Sequence, residues 1–163
     1  MNPADEARNF LEELGQNKLP IVPREICRQL KIEYGEYPFH GFEGTIQLFQ
    51  DGRVFVGINT NIREAGRKNF TCAHELGHYC MDLFELGSVA CRNTEIESFG
   101  RSTKPTELRA NQFASELLFP RHLLPSDLKT TDPDWKAIRK LAGPSSPYPG
   151  SLASPNRPCS ASA

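Results

Sequence analysis

The sequence predicts a single α+β domain in which helices pack on a short antiparallel β-hairpin. Three observations support this fold class. The chain has 163 residues, enough for one hydrophobic core but not comfortably for two. Apolar residues recur at helical spacing in several separate segments. Between the second and third of these segments, one stretch is rich in β-forming residues and contains a strong turn signal.

Two short amphipathic helices are predicted near the N-terminus. Asn2 followed by Pro3 is typical of an N-cap with proline at the first helical position. The apolar stripe of this helix consists of Ala7, Phe10, Leu11 and Leu14. A second helix is predicted to begin at Pro23, and a strand-like segment follows it at residues 32–34. Its buried positions are Ile26, Cys27 and Leu30.

A β-hairpin is predicted next. Residues 44–49 and 53–58 are both rich in β-branched and aromatic side chains. Asp51 and Gly52 between them are residues that accept the positive φ angles of a tight hairpin turn.

Two longer helices follow the hairpin. The period changes at about Ile62, and residues 85–104 then lack any sustained period and are predicted to form a loop. A fourth helix comes after the loop and is stopped by Pro120. The stripe of the third helix is Phe70, Ala73, Gly77, Cys80 and Phe84, and that of the fourth is Ala110, Phe113, Ala114, Leu117 and Leu118.

The C-terminal part of the chain divides into two segments. A weaker helix is predicted at residues 134–142. Residues 143–163 contain five prolines, six serines and one charged residue, a composition that cannot bury enough apolar surface to become ordered. We therefore expect a domain at residues 1–142 and a disordered tail at 143–163.

Composition limits the classes of partner and the location. A formal net charge of -1 provides no global field that would attract nucleic acid. No apolar run is long enough to span a bilayer, so no membrane partner is expected. The five cysteines form no Cys-x-x-Cys pair, which argues against a disulfide framework and a thiolate zinc site. These features predict a soluble, cytoplasmic protein.

The third helix contains the strongest chemical signal, the segment His74-Glu75-Leu76-Gly77-His78. Imidazoles at i and i+4 project side by side from one helix face toward a single ion, with a carboxylate between them. Zn²⁺ held by neutral imidazoles keeps an open position for water and lowers the pKa of that water, and Glu75 is then the catalytic base and acid. Gly77 inside a helix costs about 1 kcal/mol relative to alanine and predicts a close neighbour, for which the hairpin is one candidate.

A hydrolytic zinc site usually has three protein ligands, and Glu107 is the best third candidate. It begins the fourth helix, with Asn111 one turn further on the same face, where an amide can fix the tautomer of a ligand histidine. The alternative is that Glu107 only complements the helix macrodipole. The rival carboxylates are Glu95 and Glu97 in the loop and Glu116 on the opposite side of the fourth helix.

Other polar residues near the motif are not selected by their spacing. An oxyanion-stabilising donor is often present in zinc proteases. The candidates for this donor are His40, Tyr79, Arg109 and His122. Each of them also has an ordinary structural interpretation. Arg109, for example, is predicted to lie on a solvated helix face. Cys72 and Cys80 lie off the histidine face and are predicted to pack in the core.

Residues 70–78 (FTCAHELGH) and 107–120 (ELRANQFASELLFP), at this separation, resemble the ImmA/IrrE family of zincin-like metallo-endopeptidases. The resemblance extends over roughly residues 5–142. It implies zinc bound by His74, His78 and Glu107, with Glu75 catalytic. It also implies that the protein partner is a helix-turn-helix transcriptional repressor, which the enzyme cleaves.

One departure from the family leaves alternatives open. Family members usually continue with a further amphipathic helix, whereas residues 135–142 here lead directly into the Pro/Ser tail, so we expect a C-terminally truncated domain. A protein that keeps zinc but only binds a repressor or antitoxin is a second hypothesis. An inactive truncated family member is a third.

Overall fold

The computed structural model describes residues 2–83, 88–91 and 104–125. Four α-helices lie within these ranges: α1 (Pro3–Glu13), α2 (Pro23–Gln29), α3 (Ala65–Met81) and α4 (Pro105–Leu118). The strands are β1 (Glu33–Tyr37), β2 (Gly44–Leu48), β3 (Val54–Asn59) and β4 (Ser88–Cys91), and a short 3₁₀ helix follows α4 at Arg121–Leu123. The predicted α+β class is confirmed. The weaker helix and the tail predicted beyond residue 125 lie outside the described residues.

The N-terminal helices begin where the sequence predicts. The Asn2 side chain accepts a hydrogen bond from the backbone N–H of Ala4 at 3.1 Å, and Pro3 takes the first helical position, where no N–H is needed. Gly15 ends α1 in the left-handed region with φ +67°, which glycine adopts at no steric cost. The α2 helix begins at Pro23, as predicted.

The sheet is larger than the predicted hairpin. Its strand order is β1-β3-β2-β4, with β2 antiparallel to both β3 and β4 and with β1 parallel to β3. The sheet is therefore mixed rather than purely antiparallel. Strand β4 lies inside residues 85–104, so the prediction of a loop throughout that segment was wrong at residues 88–91. A four-residue edge strand is too short to produce a clear period in the sequence.

The hairpin turn between β2 and β3 also differs from the prediction. Only Gly52 has a positive φ, +84°, while Asp51 does not. The Gly52 N–H donates to the Phe49 carbonyl at 3.0 Å, and the Phe49 N–H donates to the Arg53 carbonyl at 2.8 Å. This is the pattern of a three-residue loop with glycine at the left-handed position, in which the aspartate needs no unusual φ.

The core lies between the sheet and α3, which is the central helix. One side of α3 packs on β2 and β3, and another packs on α4, which α1 covers in turn. Phe113 of α4 is fully buried and its ring lies 5.8 Å from that of Phe10 in α1. The core includes Leu11, Ile26, Ile46, Val56, Ile58, Leu76, Phe113 and Leu117. Every residue from Thr71 to His78 is buried, so the motif on α3 sits in the centre of the domain.

Candidate metal site

The α3 helix brings His74 and His78 together as its periodicity predicts. The two residues are four positions apart, and both side chains have no exposed surface. Their ring centroids are 4.8 Å apart, and the two Nε2 atoms are separated by 3.2 Å. The imidazole nitrogens therefore converge on one small volume beside the helix.

Glu107, in the first turn of α4, completes this cluster. Its Oε2 lies 3.2 Å from Nε2 of His74, and its Oε1 lies 3.6 Å from Nε2 of His78. One ligand atom from each of the three residues lies within 4.8 Å of the others. Glu107 is only 4% exposed, so it does more than complement the helix terminus. The structure thus places the three residues singled out in the sequence in one group.

Gly77 allows α3 and α4 to approach closely enough to form the group. A Cβ atom at Gly77 would lie 3.1 Å from Cα of Ala110 and 3.3 Å from Cβ of Phe113. The close neighbour expected from the glycine therefore exists, but it is α4 and not the hairpin.

Each histidine makes a second contact through its Nδ1 atom. Nδ1 of His74 lies 2.9 Å from Oδ1 of Asn111, on the α4 face where the sequence predicted such a contact. Nδ1 of His78 lies 2.8 Å from a carboxylate oxygen of Asp82, at the C-terminal end of α3. Asp82 was not among the residues predicted from the sequence, although its i+4 spacing from His78 is a signal that predicts this contact.

Arg109 is also more than the solvated helix face predicted for it. Its guanidinium donates to the second carboxylate oxygen of Asp82, and its side chain is 45% exposed. The predicted solvated position is confirmed, but the contact with Asp82 was not predicted, because Asp82 lies at the C-terminal end of α3 and sequence spacing does not show which residues meet across a helix pair.

The atoms in this cluster suit a metal ion. Because Asn111 and Asp82 both present oxygens to the Nδ1 atoms, each neutral imidazole carries its hydrogen on Nδ1 and turns the lone pair of Nε2 inward. Two nitrogen lone pairs and a carboxylate then face one another, an arrangement that a cation stabilises. The ligands of tetrahedral zinc, bonded at about 2.0–2.1 Å, lie roughly 3.4 Å apart. The observed separations of 3.2, 3.2 and 3.6 Å fit that geometry.

The three groups differ in their affinity for protons. Burial lowers the pKa of His74, and its hydrogen bonds do not compensate. Burial also acts to lower the pKa of His78, but hydrogen bonds with Asp82 and Glu107 outweigh it and raise this pKa to about 9. Burial acts to raise the pKa of Glu107, yet the two imidazoles hold it well below its usual range. Any metal ion that binds here competes with a proton on His78.

Glu75 lies on the side of α3 that faces the sheet. Its side chain is fully buried next to Gly44, the first residue of β2. A Cβ atom at Gly44 would lie 2.4 Å from Oε1 of Glu75 and 2.6 Å from the Thr71 methyl group, one helical turn earlier. The missing side chain of Gly44 therefore creates the space for the Glu75 carboxylate.

The remaining candidates from the sequence do not join the site. His40 and His122 are exposed, and Tyr79 is partly buried against the core. Oε1 of Glu116 lies 4.0 Å from Nε of Arg8 in α1, so Glu116 forms an ion pair away from the cluster. Glu95 and Glu97 lie outside the described residues. Cys72 is buried in the core, as predicted, and Cys80 packs partly buried against it.

An α+β domain with a His-Glu-x-x-His helix and a glutamate from the neighbouring helix has the construction of a metallopeptidase-type domain. The sequence model of a peptidase family, described as the IrrE N-terminal-like domain, matches residues 27–142. The chain belongs to this family, which confirms the resemblance seen in its motifs. A search of curated proteins found no significant match. In the part of the chain that the structure describes, no helix is long and apolar enough to cross a membrane.

Proposed function

We propose that this protein is a zinc-dependent endopeptidase and that its substrate is a helix-turn-helix transcriptional repressor. The observation that carries the proposal is the convergence of His74 and His78 of α3 with Glu107 of α4, together with the presence of Glu75 between the two histidines in the α3 sequence. Membership of a peptidase family supports hydrolysis of peptide bonds. The resemblance to the ImmA/IrrE family supports the choice of substrate.

Each residue has a defined role in this proposal. Nε2 of His74, Nε2 of His78 and a carboxylate oxygen of Glu107 would hold the ion. Zinc, when bound, supplies Lewis acidity and lowers the pKa of a coordinated water. Glu75 takes a proton from the attacking water and delivers it to the departing amine of the cleaved peptide bond. The Nδ1 contacts to Asn111 and Asp82 keep both imidazoles in the tautomer that leaves Nε2 available.

The donor set favours zinc over harder divalent cations. Two imidazole nitrogens and one carboxylate are typical of catalytic zinc sites, which keep a fourth position open. Calcium and magnesium prefer six or more oxygen ligands, which this cluster does not offer among the described residues. Cobalt and manganese would also fit such a site. We propose zinc as the native ion because two imidazoles and one carboxylate are the ligand types typical of catalytic zinc.

A second candidate function rests on the burial of the site. His74, Glu75 and His78 have no exposed surface, and Glu107 has 4%. A peptidase must admit a peptide to these groups, whereas a structural metal site is closed. Burial therefore favours an alternative in which the protein keeps zinc for stability and binds a repressor or antitoxin without cutting it.

Glu75→Gln separates these two functions, because it removes the proton acceptor and leaves all three ligands in place. Wild type and variant would be incubated with purified helix-turn-helix repressors, with and without a chelator, and new termini would be identified by mass spectrometry. The endopeptidase proposal expects zinc-dependent cleavage by wild type and none by Glu75→Gln. Glu64→Gln, at an exposed position preceding α3, is the matched control and should cleave normally.

Cleavage by Glu75→Gln at the wild-type rate would show that another group carries the chemistry. Repressor binding by both proteins without any cleavage would establish the binding alternative. Zinc content, measured by plasma mass spectrometry on the same samples, distinguishes either result from simple loss of the metal.

A further inference from the structure

The two histidines of the site have different polar surroundings. His74 donates from Nδ1 to the neutral amide oxygen of Asn111 at 2.9 Å. His78 donates from Nδ1 to the carboxylate of Asp82 at 2.8 Å. A carboxylate acceptor makes an imidazole a stronger base, and a more electron-rich ligand, than an amide acceptor does.

Asp82 is held in place from two directions. Its backbone N–H donates to the carbonyl of His78 at 2.9 Å at the end of α3, which fixes its main chain. Its side chain is 3% exposed and accepts from His78 through one oxygen and from Arg109 through the other. A buried carboxylate with both oxygens engaged in this way has little freedom to turn away from the imidazole.

Arg109 connects this contact to the second helix of the site. It lies two residues after Glu107 and two before Asn111 in α4, so one segment of α4 contacts both histidines, directly or through Asp82. The side chain of Arg109 is 45% exposed. The chain of contacts runs from Arg109 through Asp82 to His78 and links α4 to α3.

We propose that Asp82 and Arg109 are positioning residues of the metal site, which lock the His78 ring with Nε2 toward the ion and make His78 its stronger imidazole ligand. This inference rests on the proposed function only in that the site binds zinc. Asp82 and Arg109 are neither metal ligands nor the catalytic carboxylate. Arg109 is partly exposed and contacts the ligand His78 only through Asp82, yet its removal should lower metal affinity.

A purely structural role for the pair predicts different behaviour. Arg109 is 45% exposed and the buried Asp82 carboxylate keeps its contact with His78, so removing Arg109 should leave the fold intact. If the pair only stabilised the helix ends, zinc affinity would stay unchanged in the folded variant. If the pair positions His78, affinity falls even though folding does not.

The first measurement is zinc affinity by competition with a chromogenic chelator. Variants Asp82→Ala, Asp82→Asn, Arg109→Ala and Arg109→Lys would be compared with wild type. Loss of an outer contact to a ligand histidine typically weakens metal binding about 10- to 100-fold. We expect zinc affinity to fall by an amount in that range for Asp82→Ala and near its lower limit for Asp82→Asn. The loss should be smaller for Arg109→Ala, and Arg109→Lys should partly restore the affinity. The matched controls Asp5→Asn and Arg28→Ala, which break exposed ion pairs elsewhere, should bind zinc like wild type.

The second measurement is the tautomer of His78 in chelator-treated protein, recorded at a pH above the His78 pKa of about 9 so that the imidazole is neutral, from long-range nitrogen–proton NMR correlations. Wild type should show a single ring orientation with Nδ1 protonated, whereas Asp82→Ala should show averaging between tautomers at His78 but not at His74. Zinc affinity of Asp82→Asn and Arg109→Ala within twofold of wild type would overturn the inference, as would an unchanged His78 spectrum in Asp82→Ala. If Asp82→Ala does not fold, the zinc affinities of Asp82→Asn and Arg109→Ala still test whether the pair positions His78. Failure of wild type to bind zinc would overturn the proposed function instead, and the NMR result would still test the positioning of His78.

Discussion

The two sides of helix α3 contribute to the site in different ways. On the side of α4, His74 and His78 meet Glu107, and each imidazole makes a second polar contact through its Nδ1 atom. On the side of the sheet, the carboxylate of Glu75 faces Gly44 of β2. Each side depends on a glycine. On the α4 side the glycine is Gly77 of α3 itself, and on the sheet side it is Gly44 of β2.

This difference implies that metal binding and proton transfer can be disturbed separately. The ligand group depends on the distance between two helices, which is set by small residues and polar contacts. The position of Glu75 depends on the absence of one side chain at the start of β2. Changes on the α4 side should therefore alter zinc affinity, and changes on the sheet side should alter catalysis while zinc is retained.

The largest effect is expected on the α4 side, from Glu107→Gln. The substitution keeps the shape of the side chain but removes the anionic ligand and leaves two neutral imidazoles to hold the ion. Zinc affinity should fall by more than about 100-fold, beyond the range typical for outer contacts. Chelator competition measures this loss, and Glu116→Gln on the same helix is the control. Retention of zinc by Glu107→Gln would mean that the third ligand has been assigned wrongly.

The next largest effect is expected on the sheet side, from Gly44→Ala. A methyl group 2.4 Å from Oε1 of Glu75 must displace that carboxylate or the strand, and overpacking of this kind costs about 1–3 kcal/mol of unfolding free energy. Cleavage of the repressor substrate should fall by about 100-fold, the low end for loss of a positioned proton-transfer group, while zinc content stays the same.

Gly57→Ala is the matched control for this test. Its added methyl group would meet the rings of Phe39 and Phe55, away from Glu75 and Thr71. It should lower the melting temperature without changing the cleavage rate of the protein that remains folded. Equal loss of activity in both glycine variants would show that the sheet side affects the site only through stability.

A smaller effect is expected from Gly77→Ala. Alanine improves helix propensity by about 1 kcal/mol, but its methyl group would lie 3.1 Å from the backbone of Ala110, so α4 must move away slightly. The gain in helix propensity and the cost of displacing α4 nearly cancel, so the unfolding free energy should stay within about 1 kcal/mol of wild type. Metal sites tolerate changes of only about 0.2 Å in ligand distance, so zinc affinity should still fall several-fold. Unchanged affinity would show that the helix spacing does not limit metal binding.

The residues on α3 were predictable from the sequence because the signal is local. A fixed rise and turn per residue place His74 and His78 on one face whatever surrounds them. Glu107 and Asn111 were identified because they also share one face of one helix. Local signals of this kind also predicted the helix start at Pro3 and the stop before Pro120.

Apart from the local i+4 contact between His78 and Asp82, the missed features depend on contacts between segments that are distant in the sequence. Arg109 meets Asp82 only because α4 packs on α3, and no spacing rule connects the two residues. The parallel pairing of β1 with β3 and the edge position of β4 follow from the tertiary arrangement of the chain. Gly44 appears in the sequence as an ordinary strand residue, and its role becomes visible only once Glu75 is seen opposite it.

The smallest effect concerns a contact between α3 and the sheet away from the ligands. Lys68 of α3 donates to the carboxylate of Glu36 in β1, which also accepts from the Tyr34 hydroxyl at 3.0 Å. The hydrogen bond from Lys68 lowers the pKa of Glu36 in the folded protein. A lowered folded-state pKa stabilises the protein above the unfolded value of about 4.5, and this contribution is lost as the pH falls below it.

Lys68→Met keeps the apolar stem of the side chain and removes the charge. It should cost less than about 1 kcal/mol at neutral pH, because the pair is partly exposed, and less still at an acidic pH below the lowered pKa of Glu36, where that carboxylate is protonated. Urea unfolding at both pH values measures the difference, with Glu36→Gln and the double variant completing the cycle. An equal cost at both pH values would show that Lys68 acts through packing rather than charge. A change in zinc affinity would show that the two sides of α3 are coupled, contrary to the separation inferred from the structure.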